Sequence, residues 1–172
     1  FIAQTVARND VNGRAGTRKH GLKELQNRPF LNRVTKVEFD IVEKVGVGSR
    51  SDSAASVDAT SSYFDLEPLP PEQPKFGEGI ATPFAVEISP DQETLFVTAA
   101  GSDKLVSVDP KSGDILDSVN VGAVPRGIVF AESGRDSSHA WVFNAVDNSV
   151  SIVDVTDSKD LKELQTVALV DP

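Results

Sequence analysis

An all-β fold made of repeated four-stranded units is what this sequence predicts, and three observations predict it. The first is a self-similarity. Thr82-Pro83-Phe84-Ala85-Val86-Glu87-Ile88-Ser89-Pro90-Asp91 is followed by Leu95-Phe96-Val97-Thr98 and Leu105-Val106-Ser107-Val108-Asp109. The same scheme returns as Val124-Pro125-Arg126-Gly127-Ile128-Val129-Phe130, Ala140-Trp141-Val142-Phe143-Asn144 and Val150-Ser151-Ile152-Val153-Asp154. The second is the offset, 42 residues from Pro83 to Pro125 and 45 from Asp109 to Asp154, the extra three falling in the turn 132–139. The third is the punctuation of each unit by turn residues, Ser89-Pro90-Asp91-Gln92 and Pro110-Lys111-Ser112-Gly113. A period of about 40–45 residues carried by four short β-type runs points to β-propeller blades.

The elements follow in order. The first unit, 1–48, is a partial blade in which Phe1-Ile2-Ala3-Gln4-Thr5-Val6 pairs with 34–40 and 42–47 forms the outer strand before Gly48. Its opening run matches the second strand of the later units, so the chain is expected to start inside a blade. An insertion, 7–33, separates its first two strands, and loops of that length in compact domains are commonly functional. Residues 49–81 read as a Ser/Pro-rich acidic arm, too poor in apolar residues to fold alone, with Phe64, Leu66, Leu69 and Phe76 able to pin it to a neighbouring surface. The blade 82–122 has strands at 84–89, 94–99, 104–109 and 114–121. The blade 123–172 has them at 127–131, 140–145, 149–154 and 164–170. Phe84, Val86 and Ile88 alternate as a strand with one face on a core does. Trp141 occupies the place of Phe96 and is expected between adjacent blades. Propellers run to about four to eight blades, so roughly three blades leave the ring incomplete, and the chain is expected to belong to a longer protein or to an oligomer. Alone, its uncovered blade faces should make it unstable or prone to aggregate.

Charge divides the chain. Residues 1–50 carry ten Lys/Arg against five Asp/Glu (+5), and 51–172 carry seven against twenty-one (−14), giving the overall −9. The acidic part argues against nucleic acid, whose phosphates require a basic face. The basic part concentrates in the insertion as Arg14, Arg18, Lys19, Lys23 and Arg28, a candidate docking surface for an acidic partner. With Phe64 and Phe76 of the arm, these are the candidate partner-binding residues. There is no cysteine, hence no disulfide, thiolate site or haem-attachment motif in these residues. No apolar run approaches membrane-spanning length.

Catalytic constellations are missing from the pattern. The two histidines, His20 and His139, lie in loop classes that open on opposite faces of a propeller, which disfavours a shared metal or haem. Asp10-Val11-Asn12-Gly13 lacks the spaced acidic ligands of a calcium loop. Ser133 and Ser137 beside His139 have no third partner and no nucleophile-elbow context. Asp40, Asp109 and Asp154 recur at the end of the third strand, where a carboxylate bonds hairpin amides. No catalytic, cofactor-binding or metal-binding residue is therefore assigned.

The wording of the repeat, Phe96-Val97-Thr98, then Lys104-Leu105-Val106-Ser107-Val108-Asp109-Pro110-Lys111-Ser112-Gly113, then Val121-Gly122-Ala123-Val124-Pro125-Arg126-Gly127-Ile128-Val129-Phe130, resembles the YVTN/YncE-type bacterial β-propeller repeat. The resemblance covers 81–169 well and 1–48 in part. It implies the propeller fold and a periplasmic or secreted location; propellers of this type host unrelated activities. The function it implies is a non-catalytic binding or scaffold segment, without cofactor, whose partners are the remaining blades or domains or another protein chain. The alternative rests on the closing stretch 153–172, which resembles propellers that continue into a dihaem cytochrome c peroxidase-like module. The chain would then be the propeller portion of an electron-transfer enzyme whose haem module lies outside it.

Overall fold

The computed structural model describes residues 1–7, 30–42, 56–69, 72–132 and 138–169, and every element within them is a β-strand. β1 (Ile2–Ala7), β2 (Phe30–Val42) and β3 (Ser56–Asp65) form one antiparallel sheet in that order. β4 (Pro83–Ile88), β5 (Leu95–Ala99), β6 (Lys104–Val108) and β7 (Ile115–Asn120) form a second. β8 (Pro125–Glu132), β9 (Ser138–Asn144), β10 (Ser149–Asp154) and β11 (Lys162–Ala168) form the third. β1 touches β4, and β4 touches β8, so the three first strands line up along one side of the stack. This is part of a β-propeller, three blades that do not close a ring.

The central strands of the second blade, β5 and β6, are buried on both faces, which explains their near-continuous apolar runs. Leu95, Val97, Ala99, Val106 and Val108 face the first sheet and pack with Val34, Leu66 and Ile80. Phe96 and Leu105 point the other way and pack with Ile128, Ala140, Val142 and Val153 of the third. Period-two alternation across a strand thus feeds two separate inter-blade cores.

The strand-end loops repeat their bonding from blade to blade. Ala100 and Gly101 donate their amides to the carbonyls of Thr82 and Ala81, and Ala145 and Val146 donate to those of Val124 and Ala123. Ala81 N–H donates to Ser102 Oγ at 2.6 Å and Ala123 N–H to Asp147 Oδ2 at 2.5 Å. Asp109 accepts from the amides of Lys111 and Ser112 at 2.7 and 3.1 Å, and Asp154 from that of Thr156 at 3.0 Å. These two aspartates cap turns as their repetition predicts. Asp40 does not, because β2 runs on past it and places it directly opposite Asp58 of β3.

Other expectations are revised. Residues 56–65, read as part of an arm, are the strand β3, paired with β2 along its full length. Val57, Thr60, Tyr63 and Phe64 are good strand formers, and the β2 ladder supplies backbone partners that a serine-rich composition conceals. Of the outer strand placed at 42–47, only Val42 lies within the described residues, and it ends β2. β1, matched to a second strand by sequence, is the strand that contacts β4. In β4 the expected alternation is interrupted by a register shift between Pro83 and Val86. Val86 reaches the core, while Phe84 and Ile88 remain exposed.

Candidate functional site

The blades are joined by polar clasps as well as by apolar packing. Ser107, fully buried in β6, donates to the Ser158 carbonyl at 2.6 Å, and Leu161 N–H donates to Asp117 Oδ2 at 2.7 Å. Both bonds cross from the second blade to the β10–β11 turn. At the other end of the junction Val124 N–H donates to Asp103 Oδ1 at 2.9 Å. Gly122 N–H donates to Ser151 Oγ, and Asn144 Nδ2 donates to Ser149 and Ser151. Gly122 is required there: a Cβ would lie 2.6 Å from Asn144 Cγ. Phe96 meets Phe130 edge to face at 5.4 Å between centroids, under a cleft of about 510 Å³ rimmed by Ser89, Asp91, Glu93, Thr156 and Asp157. The Ser89 hydroxyl and then the Glu93 amide hold Asp91 below its ordinary value of 3.8. Asp109 is lowered by the amides of Lys111 and Ser112, and Asp154 by the Thr156 hydroxyl and amide, with a smaller contribution from His139 across the strand pair.

A second, apolar surface is the outer face of the third sheet. Trp141 pairs across the strands with Val129 and Ile152, and Phe143 with Gly127 and Val150. Val129 is 67% exposed, Trp141 47% and Phe143 39%. They enclose a shallow apolar hollow of about 440 Å³. By register, Trp141 holds the position of Phe96 and Val150 that of Leu105. Phe96 and Leu105 are 1% and 0% exposed because the third sheet covers them. Trp141, expected between blades, thus faces the side where a next blade would sit, with nothing over it among the described residues. The outer face of the first sheet is also apolar, with Ile2, Val37, Phe39 and Tyr63 exposed and the Arg33 guanidinium 3.9 Å from the Tyr63 ring centroid.

The sequence-predicted residues separate. Arg14, Arg18, Lys19, Lys23 and Arg28, with His20, Ser133 and Ser137, lie outside the described residues. Phe64 packs against the first inter-blade core, and its ring lies where a Cβ on Gly113 (φ +79°) would have to go. Phe76 is fully exposed at a turn closed by Glu78 N–H donating to the Lys75 carbonyl at 3.0 Å. Buried Lys104 bonds the Gly77 carbonyl and steadies that turn. The two phenylalanines therefore do not meet. Sequence reading missed two features: the Lys104 tether, and Arg126 stacked 4.7 Å over Phe84. The second was visible in principle, since both residues follow the proline that starts their blade. Among the described residues no group of three or more His, Cys, Asp or Glu is arranged to hold a metal ion. No helix among them is long and apolar enough to cross a membrane.

The chain was compared with known structures, sequences and families. Among solved structures, the chain is similar to hydrazine synthase of Kuenenia stuttgartiensis, at 27% identity over 52% of this chain, with a TM-score of 0.44. The chain spans about a quarter (24%) of the length of that protein chain. No curated protein sequence matches it. The family described as lactonase, seven-bladed β-propeller matches residues 52–172, more than half of the chain and both complete blades. This chain belongs to that seven-bladed β-propeller family.

Proposed function

We propose that the chain is a non-catalytic binding and scaffold segment of an exported bacterial YVTN-type β-propeller. In this reading its open blade faces receive the remaining blades of a longer protein, or another protein chain. The observation that carries the reading is the equivalence of Trp141 with Phe96. The same repeat position is sealed where a following blade exists and open where none does. A face of this kind, centred on a tryptophan and rimmed by smaller apolar groups, has the composition of an interface core. The periplasmic or secreted location follows from the repeat resemblance. The segment itself is proposed to bind no haem, quinone or catalytic metal.

The test compares the chain with the whole protein that contains it. Elemental analysis, an absorption spectrum and a lactone-hydrolysis assay are run on both. The scaffold reading expects the chain to be silent in all three. Stoichiometric metal bound through His139 or His20, or lactone turnover by the chain alone, would overturn it. A haem spectrum in the whole protein would favour the electron-transfer alternative, in which this segment carries a peroxidase-like module.

A further inference from the structure

The cleft over the Phe96–Phe130 pair lies between two complete blades. One wall is the β4–β5 turn of the second blade and the other the β10–β11 turn of the third. Both walls are fixed by their own bonds. Ser89 N–H donates to the Thr94 carbonyl at 2.8 Å, and Thr94 N–H to Ser89 Oγ at 2.9 Å. Asp91 Oδ1 accepts from the Ser89 hydroxyl and, at 3.0 Å, from the Glu93 amide. On the other wall Asp157 Oδ1 accepts from the Lys159 amide at 2.9 Å, and Ser138 N–H donates to Thr156 Oγ1 at 3.1 Å. The bonds of Ser107 to the Ser158 carbonyl and of Leu161 to Asp117 tie that turn to the second blade. The cleft is therefore preformed, as binding sites for small molecules commonly are.

Its chemistry is one-sided. Asp91, Glu93 and Asp157 line it, and no Lys, Arg or His does so among the described residues. The cations of the adjoining segments act elsewhere: Lys159 on Asp109, His139 on Asp154, and Lys162 on Asp160 at 2.5 Å. Asp91 and Asp157 spend one oxygen each on their turns, and the second can accept from a ligand. Phe96 is 1% exposed, whereas Phe130 is only partly buried. Phe130 is thus the ring a ligand reaches, held edge to face by Phe96, and an aromatic face attracts a cation. No three carboxylate or imidazole groups converge to hold a metal ion among the described residues, so the charge suits a diffuse organic cation. A volume of about 510 Å³ falls within the ~300–1,000 Å³ of small-molecule sites.

We propose that this inter-blade cleft binds a small organic cation, an ammonium or guanidinium group on an apolar body. The charge sits among Asp91, Glu93 and Asp157, and the body lies against Phe130. The carboxylates select the sign of the ligand, and the ring selects an organic cation over a hydrated inorganic one. The site is built between the second and third blades and is separate from the outer face of the third sheet. It stands or falls independently of the scaffold reading.

The probe is phenethylammonium, titrated into the full 172-residue chain and followed by amide chemical shifts. Saturable shifts should appear at the amides of 91–94 and 155–158 and weaken as salt is added. Phenethyl alcohol, its neutral counterpart, and the anion hydrocinnamate should bind at least tenfold more weakly or not at all. Glu93→Gln with Asp157→Asn should weaken binding about threefold to tenfold, the loss of one or two exposed charge contacts. Both residues are exposed, and the new amide oxygen at 157 still accepts from the Lys159 amide, so an unchanged circular dichroism melt serves as the folding control. Phe130→Leu should weaken binding about twofold to fivefold by removing the ring face. The proposal is overturned if nothing binds below about 10 mM, if phenethyl alcohol binds equally well, or if the double variant binds unchanged. It is also overturned if the shifted amides lie elsewhere. Tighter binding of acetyl-lysine methylamide would assign the cleft to a lysine of a partner protein and overturn it as well.

Discussion

Truncating Phe96 and truncating Trp141 should have unequal costs, although the two residues hold the same place in successive blades. Phe96 is 1% exposed, packed in the second inter-blade core and edge-on to Phe130. Phe96→Ala should destabilise by about 3–5 kcal/mol, the lost transfer energy plus an incompletely collapsed cavity. Trp141 is 47% exposed. A tryptophan buries about 150–250 Å² when covered. With roughly half of that still in water, at ~25 cal/mol per Å², Trp141→Ala should cost about 2–3 kcal/mol and leave no cavity. Against a typical total of ~5–15 kcal/mol, the first change consumes the larger part of the margin. Urea unfolding followed by far-ultraviolet circular dichroism, at concentrations low enough to suppress self-association, measures both. Equal losses would mean that the third sheet's outer face is covered in the chain alone. Repeat equivalence would then not mark Trp141 as an uncovered inter-blade position.

Two further outcomes are expected from the turns. Gly113→Ala places a side chain at φ +79° and into the Phe64 ring, so it should cost more than the ~1–2 kcal/mol of the left-handed backbone alone. Phe64→Ala in the same background should recover the steric part, read as a coupling in a double-mutant cycle. Asp91, Asp109 and Asp154 are held below the ordinary carboxylate value of 3.8. Their contribution to stability is complete above that value and is lost as pH falls through the lower native values. The thermal midpoint should therefore drop on acidification below about pH 4, and Asp91→Asn should make that drop shallower.

The two later blades were legible because their signals are local and repeated. Pro83 and Pro125, the Val-x-Val-Asp and Val-Ser-Ile-Val-Asp strands, and the capped turns at Asp109 and Asp154 each state their own conformation. β3 was hidden because its sequence, Ser-Val-Asp-Ala-Thr-Ser-Ser-Tyr-Phe-Asp, is polar enough to pass for a linker; pairing with β2 overrides composition. Phe84 was misplaced because the register shift between Pro83 and Val86 cannot be read from alternation, whereas Ile88, in register with Leu95, is exposed at the end of its strand. The candidate surface was half legible. The position of Trp141 followed from the repeat, but whether a blade lies over it is a fact of tertiary neighbours, not of its own strand. Asp40 shows the converse, a repeat position whose role changes because its strand does not stop there.

If the Val129–Trp141–Phe143 face is an unfilled inter-blade surface, Trp141, the sole tryptophan, reports on it directly. Acrylamide quenching of its fluorescence is measured in the chain alone and with a tryptophan-free version of the remaining blades. The account predicts ready quenching and red-shifted emission for the chain alone, and protection with a blue shift once the blades are present. Equal quenching in the two samples would contradict it.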